Sequence, residues 1–198
     1  MSLVHTIEIS IVGLNLVYLV LIATNRAIGW WFGVAASVLS VWLFIEVNYL
    51  AESVLYLYYV GMGIYGYFNW KKEAKTTTTA TKIPITTRSP LYHVGLIAIG
   101  LILTLLLAQL LKIIGSENVY ADAISTIFSF IATWMVARRI LENWIYWIVI
   151  DLFSVWLYGV RDLPIYAAQM AVFSIMAAVG YALWRREYLK QSKDPVTE

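Results

Sequence analysis

Long apolar runs separated by short polar breaks dominate the chain, and each run is close to the roughly 20 residues that cross the hydrocarbon core of a bilayer as a helix. Seven such runs are read: Thr6–Ala23, Ala27–Ile45, Leu50–Trp70, Leu91–Ile114, Val119–Ala137, Asn143–Gly159 and Leu163–Trp184. The pattern predicts an all-α integral membrane protein. The first run has the length of a secretory signal, but its leader Met1–His5 lacks Lys and Arg and Glu8 lies inside the run, so it is expected to stay in the mature chain.

Composition agrees: 61% of the 198 residues are hydrophobic and 13% charged, where soluble domains have roughly 45–50% and about 25%. The absence of cysteine excludes disulfides, thiolate nucleophiles and Cys-ligated metals. The net charge of +2 matters less than its placement. Seven spans put the termini on opposite sides. One face then gathers Arg26, Lys71, Lys72, Lys75, Lys82, Arg88, Arg138, Arg139, Arg185, Arg186, Lys190 and Lys193, and the other holds Lys112 and Arg161. The positive-inside rule sets the N-terminus outside and the C-terminus in the cytoplasm. These cations hug span ends without base-stacking aromatics among them, which argues against nucleic acid.

One segment reads as soluble, Lys71–Pro90, with the low-complexity core Lys75-Thr-Thr-Thr-Thr-Ala-Thr-Lys82. A repeat flanks it. At an offset of 114, Trp30 falls on Trp144, Ser40-Val-Trp-Leu43 on Ser154-Val-Trp-Leu157, Met62 on Met176, Gly66-Tyr67 on Gly180-Tyr181 and Trp70 on Trp184, with Lys71-Lys72 against Arg185-Arg186. Three helices are an odd number, so a fourth span between the copies restores orientation. The expected organisation is a first three-helix bundle (1–72), a cytoplasmic linker (73–90), a linker helix (91–114), a second three-helix bundle (115–186) and a cytoplasmic tail (187–198). This is a parallel three-plus-one-plus-three architecture, SWEET-like, which predicts substrate between the halves near the midplane.

A charge inside a span costs on the order of 2.5–3.5 kcal/mol on insertion scales, so one that persists usually faces a cavity or a partner. Asp151 is such a residue, and Trp144, Trp147, Asp151, Ser154 and Tyr158 recur at the spacing of one helical face. Either this face binds a ligand, or Asp151 staples two helices and Trp144 sits at headgroup level. The third span carries Glu52, Tyr56, Tyr59, Gly63, Tyr67 and Trp70 at the same spacing. Its phenols offer hydrogen bonds and flat faces to an aromatic or cationic ligand, or else serve helix packing around the glycines, with Glu52 wet at the outer end. Trp30, the repeat mate of Trp144, is a further candidate. The fifth span aligns Asp122, Ser125, Thr126, Ser129 and Thr133, and the seventh Tyr166, Gln169 and Phe173; either set lines a path or satisfies neighbouring helices.

Gly61-Met-Gly63-Ile-Tyr-Gly66 fits the dinucleotide fingerprint but lies within an apolar helix, without the strand that motif requires. His5 and His93 start different spans, and no metal-ligand spacing or Ser-His-acid set is found. No cofactor is expected. The Pro-Gln signature of SWEET sugar carriers is absent, Pro164 being followed by Ile165. A membrane enzyme is the rival from another class and lacks a catalytic constellation; a passive structural subunit would transport nothing.

The run Glu142-Asn-Trp-Ile-Tyr-Trp-Ile-Val-Ile-Asp-Leu-Phe-Ser-Val-Trp-Leu-Tyr158, with its E-N-W-x-x-W opening, resembles the sixth core helix of the PnuC family of bacterial nicotinamide riboside transporters, and Ile64-Tyr-Gly-Tyr-Phe-Asn-Trp70 is similar to that family's third-helix ending. The resemblance implies uptake of a vitamin by facilitated diffusion and its trapping by a cytoplasmic kinase. By the same likeness Asn143, Trp144, Trp147 and Asp151 match positions of the substrate cavity. Members carrying nicotinamide riboside typically have Gln at the position of Tyr56 and commonly Asp at that of Glu52. These departures bring in relatives that carry thiamine, a second aromatic cation, or riboflavin. Whether the chain forms a homo-oligomer and whether transport is ion-coupled are left open.

Overall fold

The computed structural model describes residues 3–46, 50–76, 84–113, 118–160, 162 and 164–193, apart from some side chains near the helix ends. They form seven helices: α1 (Leu3–Ala23), α2 (Gly29–Glu46), α3 (Leu50–Thr76), α4 (Pro90–Ile113), α5 (Val119–Ala137), α6 (Asn143–Val160) and α7 (Pro164–Lys193). Six are long and apolar enough to cross a membrane; α3, counted among the seven expected spans, is not one of these six. Its apolar character is diluted by Tyr56, Tyr58, Tyr59, Tyr65 and Tyr67. Two helices outrun their expected ends. α3 continues past Trp70 to Thr76 and α7 past Trp184 to Lys193, because the basic and acidic residues that leave lipid are themselves good helix formers. At 1.5 Å per residue the 30 residues of α7 extend about 45 Å, well beyond a hydrocarbon core of about 30 Å.

The chain divides into two compact units, Met1–Ile85 with Ala182–Glu198, and Thr86–Tyr181, so that α7 gives its first part to the second unit and its last part to the first. In the first unit α2 packs against both α1 and α3. Small residues permit this: a Cβ on Gly29 would fall 2.8 Å from Leu21 Cβ, one on Gly33 2.9 Å from the Tyr18 ring, and one on Gly66 inside contact distance of the Trp30 indole. Lacking a hydrophobic drive between helices in lipid, such close backbone approach supplies the attraction. Trp30 meets Tyr18 and Trp70 edge-on, Trp70 meets Trp184, and the Trp184 indole Nε1–H donates to the Ile22 carbonyl at 3.1 Å.

In the second unit α4 buries Gly100, Thr104 and Ala108, a small-residue stripe at every fourth position, and leaves Leu91, Val94, Ile102, Leu105 and Leu106 exposed. That outward face is what a helix shows to lipid. A Cβ on Gly100 would already touch Ile131 and Phe128 of α5 at 3.0 Å. On α6, Trp144 lies over Gly180 of α7, whose absent Cβ would fall 2.7 Å from the ring.

The α1–α2 and α5–α6 corners are built alike, bond for bond, at an offset of 114 residues. Asn25 N–H donates to Ile22 O (2.9 Å) and Arg26 N–H to Leu21 O (2.8 Å); Arg139 N–H donates to Val136 O and Ile140 N–H to Met135 O, both at 3.0 Å. Asn25 and Arg139 hold φ of 63° and 52°. This is the Schellman ending, in which one left-handed residue lets two N–H groups cap carbonyls that the helix leaves orphaned.

The expected linker is structured at its far end. Thr86 bridges the α5–α6 corner in parallel with Ile140, donating N–H to Arg139 O (3.0 Å) and accepting from Leu141 N–H (2.8 Å). Ile85 is buried, and its N–H donates to Gln191 Oε1 at 3.1 Å. The low-complexity core lies mostly outside the described residues.

Candidate functional site

The second unit carries the polar face of α6. Asn143 opens the helix fully buried; its amide Nδ2 donates to Ile140 O at 2.7 Å, and its Oδ1 has no hydrogen-bond partner among the described residues. One turn on is Trp147, half-buried, and one further turn on is Asp151. Asp151 is 6% exposed and makes no hydrogen bond or ion pair among the described residues. A staple between helices requires a partner, and none is found for this carboxylate among the described residues. Ser154 is half-buried and spends its hydroxyl hydrogen on Ile150 O of its own helix at 2.9 Å, leaving oxygen lone pairs to offer.

Trp144 and Trp30 occupy different surroundings from Trp147. Each is about 1% exposed and wedged over a glycine. These rings have no surface left for contact beyond the protein, so they set the spacing of helices. A headgroup-level position for Trp144 would require exposure that it lacks.

On α3, in the first unit, Tyr56 stacks on Phe44 of α2 with centroids 5.3 Å apart and meets Tyr59 edge-on at 5.8 Å. Both phenols are half-buried. The Glu52 side chain lies outside the described residues. Ser125 and Thr133 of α5 return their hydroxyls to Ala121 O and Ser129 O, each at 2.8 Å. On α7, Tyr166 is exposed and meets the Tyr158 ring at a tilt of 37°, centroids 5.7 Å apart. Gly61 to Gly66 lie wholly within α3, so the fingerprint-like spacing forms no phosphate loop.

Two features escaped the sequence reading. Arg139, counted there among the surface cations, is 1% exposed within the α5–α6 corner. His93 of α4 reaches Tyr146 of α6 and Glu142, the residue before that helix, with Nδ1 3.2 Å from Tyr146 Oη and Nε2 3.8 Å from Glu142 Oε2. The repeat held a signal for the second: the positions matching Glu142 and Tyr146 are Ile28 and Phe32, so the acid and the phenol are not demanded by the bundle itself.

The chain is 19% identical over 187 residues to the nicotinamide riboside transporter PnuC of Escherichia coli (strain K12), covering 83% of this chain and 78% of that one. It is 24% identical over 169 residues to PnuC of Haemophilus influenzae, covering 84% and 74%. The crystal structure of the vitamin B3 transporter PnuC shares its fold, with a TM-score of 0.74, 18% identity, and coverage of 91% of this chain and 81% of that one. The family description Nicotinamide mononucleotide transporter matches residues 5–186, and the chain therefore belongs to that family of multi-pass membrane transporters.

Proposed function

We propose that the protein takes up nicotinamide riboside across a bacterial inner membrane by facilitated diffusion, with the α6 face of Asn143, Trp147, Asp151 and Ser154 reading the substrate. The observation that carries this is Asp151: a buried carboxylate without a partner among the described residues is costly, and an organic cation supplies the missing charge. Trp147 offers a ring to a flat aromatic cation. The same carboxylate disfavours nicotinamide mononucleotide, whose phosphate would bring like charge to a site of low dielectric. We read the chain as three plus one plus three helices, α3 spanning the membrane and α4 standing outside the repeat, with the N-terminus outside. Tyr56 and Tyr59 contribute aromatic surface, Glu52 belongs to the same α3 face, and Trp30 and Trp144 act as rigid supports. Phosphorylation by a cytoplasmic kinase keeps the vitamin inside.

Thiamine is the second reading. It is favoured by Tyr56, which stacks on Phe44 where an amide would otherwise be available to read a carboxamide. Proteoliposomes containing the pure protein decide between them. Labelled nicotinamide riboside should enter until internal and external concentrations match, with thiamine competing weakly. Thiamine entry with no riboside entry would reassign the substrate, and accumulation driven by a proton or sodium gradient would reject passive transport.

A further inference from the structure

α4 has no counterpart in the repeat, yet His93 makes polar contact with the first turn of α6. Its ring is held on two sides. Nδ1 is 3.2 Å from Tyr146 Oη, and Nε2 faces Glu142 Oε2 across 3.8 Å, with side chains 17% and 20% exposed. Those last two atoms are fully buried and neither has a hydrogen-bond partner among the described residues. The other Glu142 oxygen, Oε1, accepts from Arg88 N–H at 3.4 Å. The remaining charged and titratable groups around the ring are Tyr92, which meets it edge-on, the Arg88 guanidinium over Tyr92, and Arg138 at the end of α5, close enough to Tyr92 to act on it electrostatically.

The state of the imidazole decides what crosses the 3.8 Å gap. If Tyr146 donates to Nδ1, the neutral ring turns an N–H toward Glu142 without reaching hydrogen-bond distance; if Nδ1–H donates to Tyr146, a bare lone pair faces a carboxylate. A second proton makes both nitrogens donors and sets a cation against an anion with little water to screen them. Histidine is the side chain whose proton exchanges most readily near neutrality. Glu142 directly precedes Asn143 and Tyr146 directly precedes Trp147, so drawing this turn toward α4 rotates the face that also carries Asp151.

We propose that His93 is a positioning residue for the α6 face, setting that face through the His93–Glu142 pair according to whether its ring is protonated. This rests on the reading of Asn143, Trp147 and Asp151 as the substrate face. The first repeat supports the assignment, since Ile28 and Phe32 stand at the positions of Glu142 and Tyr146 and make no such clasp.

The test is binding of nicotinamide riboside, with thiamine in parallel, to the full-length protein in detergent between pH about 5.5 and about 8, the range in which imidazoles titrate. Four proteins are compared: wild type, His93→Gln, Glu142→Gln and Asp151→Asn. Wild-type Kd should change across that range, and the ratio of Kd between its two ends should differ from the wild-type ratio by about threefold or more in His93→Gln and in Glu142→Gln, both of which still bind. A flat wild-type profile, or a wild-type profile in His93→Gln, overturns the proposal. Glu142→Gln removes the same pair from the other side, so it decides if His93→Gln misfolds. Asp151→Asn reports on the underlying reading separately: undiminished affinity there, with altered profiles in the other two variants, removes Asp151 from the site and leaves the clasp standing.

Discussion

The indole of Trp30 fills the volume that a Cβ on Gly66 would need, and Trp144 stands in the same relation to Gly180. Neither indole can swing aside, because both are about 1% exposed. Gly66→Ala and Gly180→Ala should therefore each destabilise by about 1–3 kcal/mol through overpacking, read as a lower midpoint of thermal unfolding in detergent. Gly95 has nothing within 4 Å of its would-be Cβ, so Gly95→Ala should leave that midpoint unchanged or raise it. Equal losses at all three sites would refute the packing account.

The two helix corners place a left-handed φ on residues that carry a Cβ, Asn25 and Arg139. Comparing a glycine with an alanine substitution at one position cancels the loss of the native side chain. Asn25→Gly should be more stable than Asn25→Ala, and Arg139→Gly more stable than Arg139→Ala, each by about 1 kcal/mol, the cost of a left-handed conformation for an ordinary residue. Chemical unfolding curves of the two pairs measure this. An alanine variant as stable as its glycine counterpart contradicts the geometry.

Asp151→Asn keeps shape and removes charge. Affinity for a cationic vitamin should fall by about tenfold or more, about 1.4 kcal/mol, and an uncharged analogue should lose much less. Because Asp151 has no protein partner among the described residues, the same substitution should not lower thermal stability and is expected to raise it by relieving an unpaired buried charge. Lower stability with intact affinity would return Asp151 to the role of a helix staple.

Without native cysteines, a single introduced thiol reports its own location. The thiol of Thr79→Cys should resist a membrane-impermeant maleimide in intact spheroplasts and react after lysis, and that of Ser116→Cys should react in both. The reverse pattern would invert the proposed orientation.

The helices were legible because lipid imposes length and composition on each of them, and Val119–Ala137 was placed to the residue since Arg138 marks both the end of apolar sequence and the helix C-cap. Where those two events separate, sequence reading stops short: hydropathy marks the lipid boundary after Trp70 and Trp184, while the backbone stays helical to Thr76 and Lys193. Asp151 was legible by its oddity in an apolar run. The partnership of His93 with Glu142 was not, because it joins α4 to the α5–α6 corner, 49 positions on. Trp30 and Trp144 draw attention as scarce residues, and the repeat matches Trp30 with Trp144 and, separately, Gly66 with Gly180. That each ring lies over a glycine is a contact between helices, which the alignment does not contain.

The bond from Trp184 to the Ile22 carbonyl joins positions 162 apart. At about 5–20 residues per second of synthesis, Ile22 leaves the ribosome roughly 10–30 s before its partner exists. During that interval the Trp70 ring is not yet covered by Trp184. Residues 86–181, the whole of the second unit, are synthesised before Ala182–Glu198 can complete the first. The first unit is thus begun first and finished last.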